Sequence, residues 1–532
     1  MTDFDRLVAA LLDEECAADP PRATRLGIPG HDADLPDLSA RAVAEGRRRE
    51  EDWAARFAAL AEPALSAEEQ VDRDLIGMTL RGRAILRNWG DWQRNAECYL
   101  DPAVDGVFSL FLHRSAPEAE LVSSAVARLR RLPDLLAQAR ANLDPDLAAP
   151  LLVGRAVEHA LGAVTYLRES LPAEAPDFPE LAAAAASAAD HVAKHASWLR
   201  DFRGRARGCW KLGEQSYSAL LTEAEGLGYG APELARRGQA AYDELSVRLR
   251  DRARELDSDD WRVRLAADAP PTLEAMRAEY AEWTARARAF CVQRGLVTLP
   301  DGERCVVTSA PPYSRAVIAV AFYVQPPPFG RGRVGFFFVP FTPAGASPEQ
   351  VRQRLASNSR MTIPTTAVHE AYPGHHWHLA WLGSACTRPI RQVFSSAYLV
   401  EGWALYAEQL LADEGFFTDP VAQIGQLAAR LFRAARVVVD AALHTGEMTV
   451  EQAAGFLTDE LGLSAETARA EAVRYCALPT QAASYLTGAI EIGRMREEWM
   501  ARGGGLREFH DRLAGSGMLP LGLAERVVFA AS

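Results

Sequence analysis

The sequence predicts a mostly α-helical protein. Three observations carry this. Long alanine- and arginine-rich segments place apolar residues at helical spacing, glycine- and proline-containing breaks separate them, and strand-like character is confined to residues 304–341. In chain order, helices are expected over 40–60, 68–89, 118–143, 180–202 and 232–256. The breaks include Asp144-Pro145-Asp146 and Gly226-Leu227-Gly228-Tyr229-Gly230. The β-branched and aromatic runs at 305–307, 317–323 and 335–341 read as short strands. Helical patterning resumes near Thr362 and continues to the end. Residues 1–300 are therefore read as an N-terminal helical region. Residues 301–532 are read as a region of short strands and site helices, in one continuous body.

Composition bounds the function. A chain of 532 residues with 48% hydrophobic content can bury a sizeable core. The net charge of −13 argues against a nucleic-acid partner. No run of 18 apolar residues is present, and Met1-Thr2-Asp3-Phe4-Asp5 lacks the basic start of a secretion signal. The seven cysteines are scattered without paired spacing, which suits reduced thiols and a cytoplasmic location. Cys386 has no partner cysteine at metal-site spacing and is assigned to packing.

The chemistry concentrates at His369-Glu370-Ala371-Tyr372-Pro373-Gly374-His375-His376. Four of the 11 histidines (His369, His375, His376, His378) fall within ten positions. Imidazoles can bind a metal, and a glutamate beside the first can act as base. The spacing is unusual. In H-E-x-x-H the histidines stand at i and i+4, about 40° apart on one helix face. His369 and His375 would be roughly 240° apart on a straight helix. His376 would face the right way, but about 10 Å further along the axis, too far for one ion. Pro373 cannot donate to the His369 carbonyl and Gly374 tolerates unusual dihedrals. The segment thus reads as H-E-x-x-H with two extra residues, a kink bringing His375 back toward His369. A plain helix end with surface histidines is the bland alternative.

A second helix is expected over 395–413. There Glu401 interrupts the apolar run of Ala397-Tyr398-Leu399-Val400 and Trp403-Ala404-Leu405, which is costly unless the carboxylate is paired or metal-bound. Glu408 shares its face, seven residues on. Glu401 is the candidate third ligand.

These motifs resemble the bacterial family called domain of unknown function 885, placed among gluzincin-like metallopeptidases. The resemblance rests on H-E-x-x-P-G-H (His369 to His375), on E-G-W-x-x-Y-x-E (Glu401, Gly402, Trp403, Tyr406, Glu408), and on P-x-Q-x-x-x-Y-x-x-G (Pro479, Gln481, Tyr485, Gly488). Pro21-Arg22-Ala23-Thr24-Arg25-Leu26-Gly27 and Gln325-Pro326-Pro327-Pro328 match as well. The resemblance implies a large helical gluzincin-like metallohydrolase body with a small β-sheet beside the metal-binding helix. It implies one zinc per chain on His369, His375 and Glu401, with His375 chosen over His376 because the family's ligand follows Pro-Gly. Glu408 and His376 are then expected behind the ligands. The strand at 335–341 is expected to be the sheet edge that holds an extended substrate.

Amide hydrolysis also needs a base and an oxyanion donor. Glu370 is the expected base. Tyr485 is the expected donor, on the resemblance and on the chemical need. Gln481 is expected to touch the substrate or support the site, and Arg494 and Arg496 to bind a substrate carboxylate. His191, His195, His444 and His510 lack partner motifs and are assigned to structure. The expected activity is zinc-dependent hydrolysis of amide or peptide bonds in a small peptide or peptide-like molecule, with no nucleic-acid or membrane partner. Two alternatives remain: metal-dependent hydrolase or lyase chemistry on one specialised metabolite, and a metal-free descendant that only binds a ligand.

Overall fold

The computed structural model describes residues 2–256, 268–311, 315, 320–330, 332–343 and 345–530. The chain divides into two compact units. The first comprises Met1–Trp210 with Pro312–Val317 and Pro326–Gly332, the second Lys211–Pro311, Ile318–Gln325 and Arg333–Ser532. The division expected near residue 300 instead falls at 210. Two long helices before residue 300 pack on the site helices and so belong with them.

The first unit is helical throughout its main segment. Its principal helices are α1 (Asp3–Ala18), α2 (Pro20–Leu26), α3 (Ala40–Ala58), α4 (Ala67–Trp89), α5 (Asp101–His113), α6 (Glu118–Asn142), α7 (Pro150–Thr165) and α8 (Pro179–Arg203). Thr2 and Ser66 open α1 and α4 with capping boxes closed by Asp5 and Glu69. Buried leucines, valines and alanines of α5 to α8 form a core. The matched N-terminal residues have structural work here. Thr24 accepts from the fully buried Arg128 at 2.7 Å, and Gly27 ends α2 with φ +77°. A Cβ on Gly27 would lie 2.9 Å from Pro327 and from the Gly330 nitrogen, so the two outlying matched segments pack on each other.

The second unit holds α9 (Ala231–Arg254), α10 (Leu273–Arg294), β1 (Arg304–Ser309), β2 (Phe322–Val324), β3 (Val334–Val339), α11 (Ile363–Glu370), α12 (His375–Ala385), α13 (Ala397–Asp413), α14 (Pro420–Thr445), α15 (Ala465–Ala477), α16 (Gln481–Ala501) and α17 (Leu506–Gly515). The five long helices expected before residue 257 each start and stop within two residues of expectation. Of the expected strand 317–323, residues 317–319 lie outside the described residues, and the strand observed there is β2.

The sheet order is β1-β3-β2, with β1 parallel and β2 antiparallel to β3. This corrects one expectation. The strand at 335–341 is not an edge. β3 is the middle strand, its backbone groups already paired on both sides, so it cannot hold an extended substrate by its main chain. Phe337 of β3 is fully buried against Tyr280 of α10, ring centroids 5.4 Å apart. The described residues include no helix long and apolar enough to cross a membrane.

Candidate metal centre

The expected break in the motif helix is present. α11 ends at Glu370, and α12 begins at His375. Between them the Gly374 N–H donates to the Val368 carbonyl at 3.1 Å. Gly374 has φ −68°, so its role is space and not a left-handed backbone. A Cβ there would lie 1.9 Å from the His369 carbonyl oxygen. Trp403 of α13 donates its indole N–H to the Pro373 carbonyl at 2.8 Å, which ties the E-G-W segment to the break.

This turn delivers the two imidazoles to one point. Ligand atoms of His369, His375 and Glu401 all lie within 4.8 Å of one another. The His375 Nε2 to Glu401 Oε2 distance is 3.3 Å, and the His369 Nε2 to Glu401 distance is 3.9 Å. Two donors ~2.0–2.1 Å from a tetrahedral zinc stand about 3.3–3.4 Å apart, so this donor set fits such an ion with small adjustment. His369 Nδ1 bonds Glu408 Oε1 at 2.7 Å, and Thr365 donates to the other Glu408 oxygen at 2.9 Å. With its Nδ1 proton on Glu408, His369 presents the Nε2 lone pair to the triad.

Electrostatics separate the carboxylates. Burial raises the Glu401 pKa, but the hydrogen bond and charge of His375 reverse this and bring it to about 2. Burial likewise opposes Glu408, and the His369 hydrogen bond holds it below the ordinary carboxylate value. Glu370 is the exception. Burial raises its pKa, and the nearby histidines and Arg433 only partly offset this. A glutamate held above the ordinary carboxylate value is suited to accepting and returning a proton.

Tyr485 stacks toward His369, centroids 6.5 Å apart and planes within 20°. Gln481 donates to its hydroxyl at 3.3 Å, and Arg474 donates to the Gln481 side-chain Oε1 at 2.9 Å. Arg436 of α14 lies 5.1 Å over the Tyr485 ring and pairs with Glu471 at 3.1 Å. The Tyr485 phenol is raised by burial and by Glu401, so it is a neutral donor.

The structure thus brings together His369, His375, Glu401, Glu370, Glu408, Tyr485 and Gln481. It does not bring Arg494 and Arg496 to them. Arg494 pairs with Glu491 at 2.9 Å and Glu525 at 2.6 Å, and Arg496 lies 3.7 Å from Asp413. The reason is helical geometry. Arg494 lies nine residues past Tyr485, on the opposite face, and Arg496 lies about 16 Å further along the axis. His376 turns from the triad to a cluster of its own. It bonds Glu303 at 2.8 Å and Tyr323 at 3.0 Å, and Glu303 also pairs with Arg288. Sequence reading missed Glu303, Tyr323 and the arginines of α14. The available signal was a polar stripe, Arg433, Arg436, Asp440 and His444, at helical spacing in an apolar helix.

The comparisons with known proteins agree on fold. The structure resembles that of a "putative lipoprotein of unknown function" from Shewanella oneidensis, with TM-score 0.79, 21% identity and 99% of each chain covered. It also resembles the crystal structure of a "putative lipoprotein" from Colwellia psychrerythraea, with TM-score 0.82, 20% identity, and 99% of this chain and 98% of that one covered. No curated protein matches. The family described as "Bacterial protein of unknown function (DUF885)" matches residues 20–528, and the chain belongs to that family.

Proposed function

We propose that this chain is a zinc-dependent hydrolase of amide or peptide bonds with a gluzincin-like catalytic body. The observation that carries the reading is the convergence of His369, His375 and Glu401, with Glu370 next in sequence and Glu408 orienting His369. A zinc ion on these three residues supplies a Lewis acid that polarises the scissile carbonyl and acidifies water. Glu370 takes one proton from the attacking water as its oxygen bonds the carbonyl carbon. Glu370 then hands that proton to the amide nitrogen as the C–N bond breaks. Tyr485 donates its phenolic proton in a hydrogen bond to the oxyanion. Burial of Glu370 and Glu408 keeps bulk water from competing for these bonds.

Elemental analysis should find about one zinc per chain after zinc-supplemented purification, and alanine at His369, His375 or Glu401 should remove most of it. Glu370→Gln should keep the zinc and the fold while turnover of a peptide library falls about 10²–10⁴-fold. A chain without zinc would favour the metal-free binding protein instead. Near-normal turnover by Glu370→Gln would end the mechanism.

We also place the protein in a reducing compartment, since the seven cysteines are scattered without paired spacing. The lipoprotein description of its structural relatives points to a membrane-anchored location. Fractionation of the native protein separates the two: recovery with the membrane overturns the cytoplasmic reading.

A further inference from the structure

The triad lies beside one face of α14. Arg433 and Arg436 stand three residues apart on that helix and so project from one side of it. Neither is used as the arginines of α16 are. Arg433 makes one hydrogen bond, to the Ala429 carbonyl of its own helix at 3.1 Å, and its Nε is buried with no partner. Among the described residues it has no carboxylate within ion-pair distance, although its charge is felt at both Glu370 and Glu408. Arg436 donates through Nε to the Tyr475 hydroxyl and through one terminal nitrogen to Glu471, each at 3.1 Å. Among the described residues these are its side-chain hydrogen bonds, and the guanidinium lies over Tyr485, the ring beside His369. Glu471 is shared with Arg474 at 3.0 Å, so one carboxylate serves two guanidiniums. Arg433, Arg436 and Arg474 thus offset much of the negative charge of Glu370, Glu401, Glu408 and Glu471 around them, in a chain of net charge −13. A dication on the triad would add to this, because the three ligands carry one formal negative charge between them.

We infer that Arg433 and Arg436 form a subsite for a substrate carboxylate, so that this chain acts on peptides or peptide-like molecules with a free C-terminal carboxylate close to the scissile bond. The inference rests on the hydrolase reading above and narrows it to exo-acting cleavage from the C-terminal end. The Tyr485 ring centre lies 5.1 Å from the Arg436 guanidinium and 6.5 Å from the His369 ring centre. A peptide residue spans ~3.3–3.6 Å, so a carboxylate held there lies one or two residues beyond a carbonyl placed at the triad. Planar guanidiniums suit a carboxylate, which accepts two parallel N–H bonds. An amidated C-terminus is neutral and cannot form the charge-assisted pair.

The test uses two peptide libraries of one sequence composition, one with free C-terminal acids and one with C-terminal amides. Turnover by the zinc-loaded protein should favour the acids by roughly 10- to 100-fold, the worth of a charge-assisted hydrogen bond, and mainly through KM. Arg433→Met should lose most of that preference. Its side chain bonds only its own helix, so this variant should fold normally. Arg436→Lys should keep part of it. Equilibrium binding of the same libraries to the Glu370→Gln variant supplies a readout that needs no turnover. Equal cleavage of acids and amides overturns the carboxylate subsite and leaves the hydrolase standing. If neither library is cleaved, the hydrolase reading fails and binding decides. An acid preference that Arg433→Met abolishes upholds the subsite, and equal or absent binding overturns it.

Discussion

Glu408 shows what a single side chain contributes here. It is almost fully buried and touches neither the triad's centre nor solvent, yet both its oxygens are used. Its hydrogen bond sets which nitrogen of His369 is free. Glu408→Gln keeps the volume and weakens that orientation, so zinc affinity measured against a competing chelator should fall about 10–100-fold with little change in the fold. Unchanged affinity would mean that His369 is positioned by packing alone. Tyr485→Phe removes one oxygen and leaves the ring over His369. It should lower kcat about 10²–10³-fold, KM much less, and leave zinc content alone. A wild-type kcat would move the oxyanion role to another donor. The sequence made His369, Glu370, Glu401 and Glu408 legible because chemistry restricts which residue types can do these jobs. It did not reveal Arg433 or Arg436, since charged residues at helical spacing usually mark a solvated face.

At the scale of elements, the motif glycines explain how the parts of the site meet. A Cβ on Gly488 of α16 would lie 1.9 Å from the Tyr398 carbonyl oxygen of α13 and 2.7 Å from the Gly402 Cα. The two helices therefore cross at a glycine pair. One neighbour of that crossing is Glu401, and Tyr485 lies one turn before it. Gly488→Ala should cost ~1–3 kcal/mol or more in stability and depress activity with it, because the helices must separate. Gly493, on the same helix, has nothing within 4 Å of its would-be Cβ. Gly493→Ala should be neutral or stabilise by up to about 1 kcal/mol. Thermal denaturation of both variants checks the pair, and equal effects would refute the crossing argument. Helix positions were legible in the sequence because periodicity reports burial directly. The place of β3 in the middle of the sheet was not, since an apolar run reads alike in a central strand and in a covered edge.

Taken over the whole molecule, buried titratable groups set how stability depends on pH. Burial holds His195, His444 and His510 at about 4 and His378 at about 3. In the unfolded chain each titrates near 6.5, so it binds a proton there that the folded chain refuses. Their contribution is complete above pH ~6.5 and is lost as pH falls toward 4. Asp440 acts in the opposite sense. It is fully buried, its pKa is raised by burial to about 7, and Tyr217 donates to it at 2.6 Å. The folded chain keeps this proton after the unfolded chain has lost it near pH ~4, so stability falls as pH rises from there through 7. His113, held at about 4, acts with those histidines, and Asp101 and Glu225, raised by burial to about 8, act with Asp440, so stability should fall both below pH ~6.5 and above it. Asp440→Asn resembles the protonated acid and cannot ionise. The wild type should lose a few kcal/mol relative to this variant between pH 5 and 8, measured by urea unfolding at both values. Parallel profiles for the two proteins would mean that Asp440 is ionised in the folded chain.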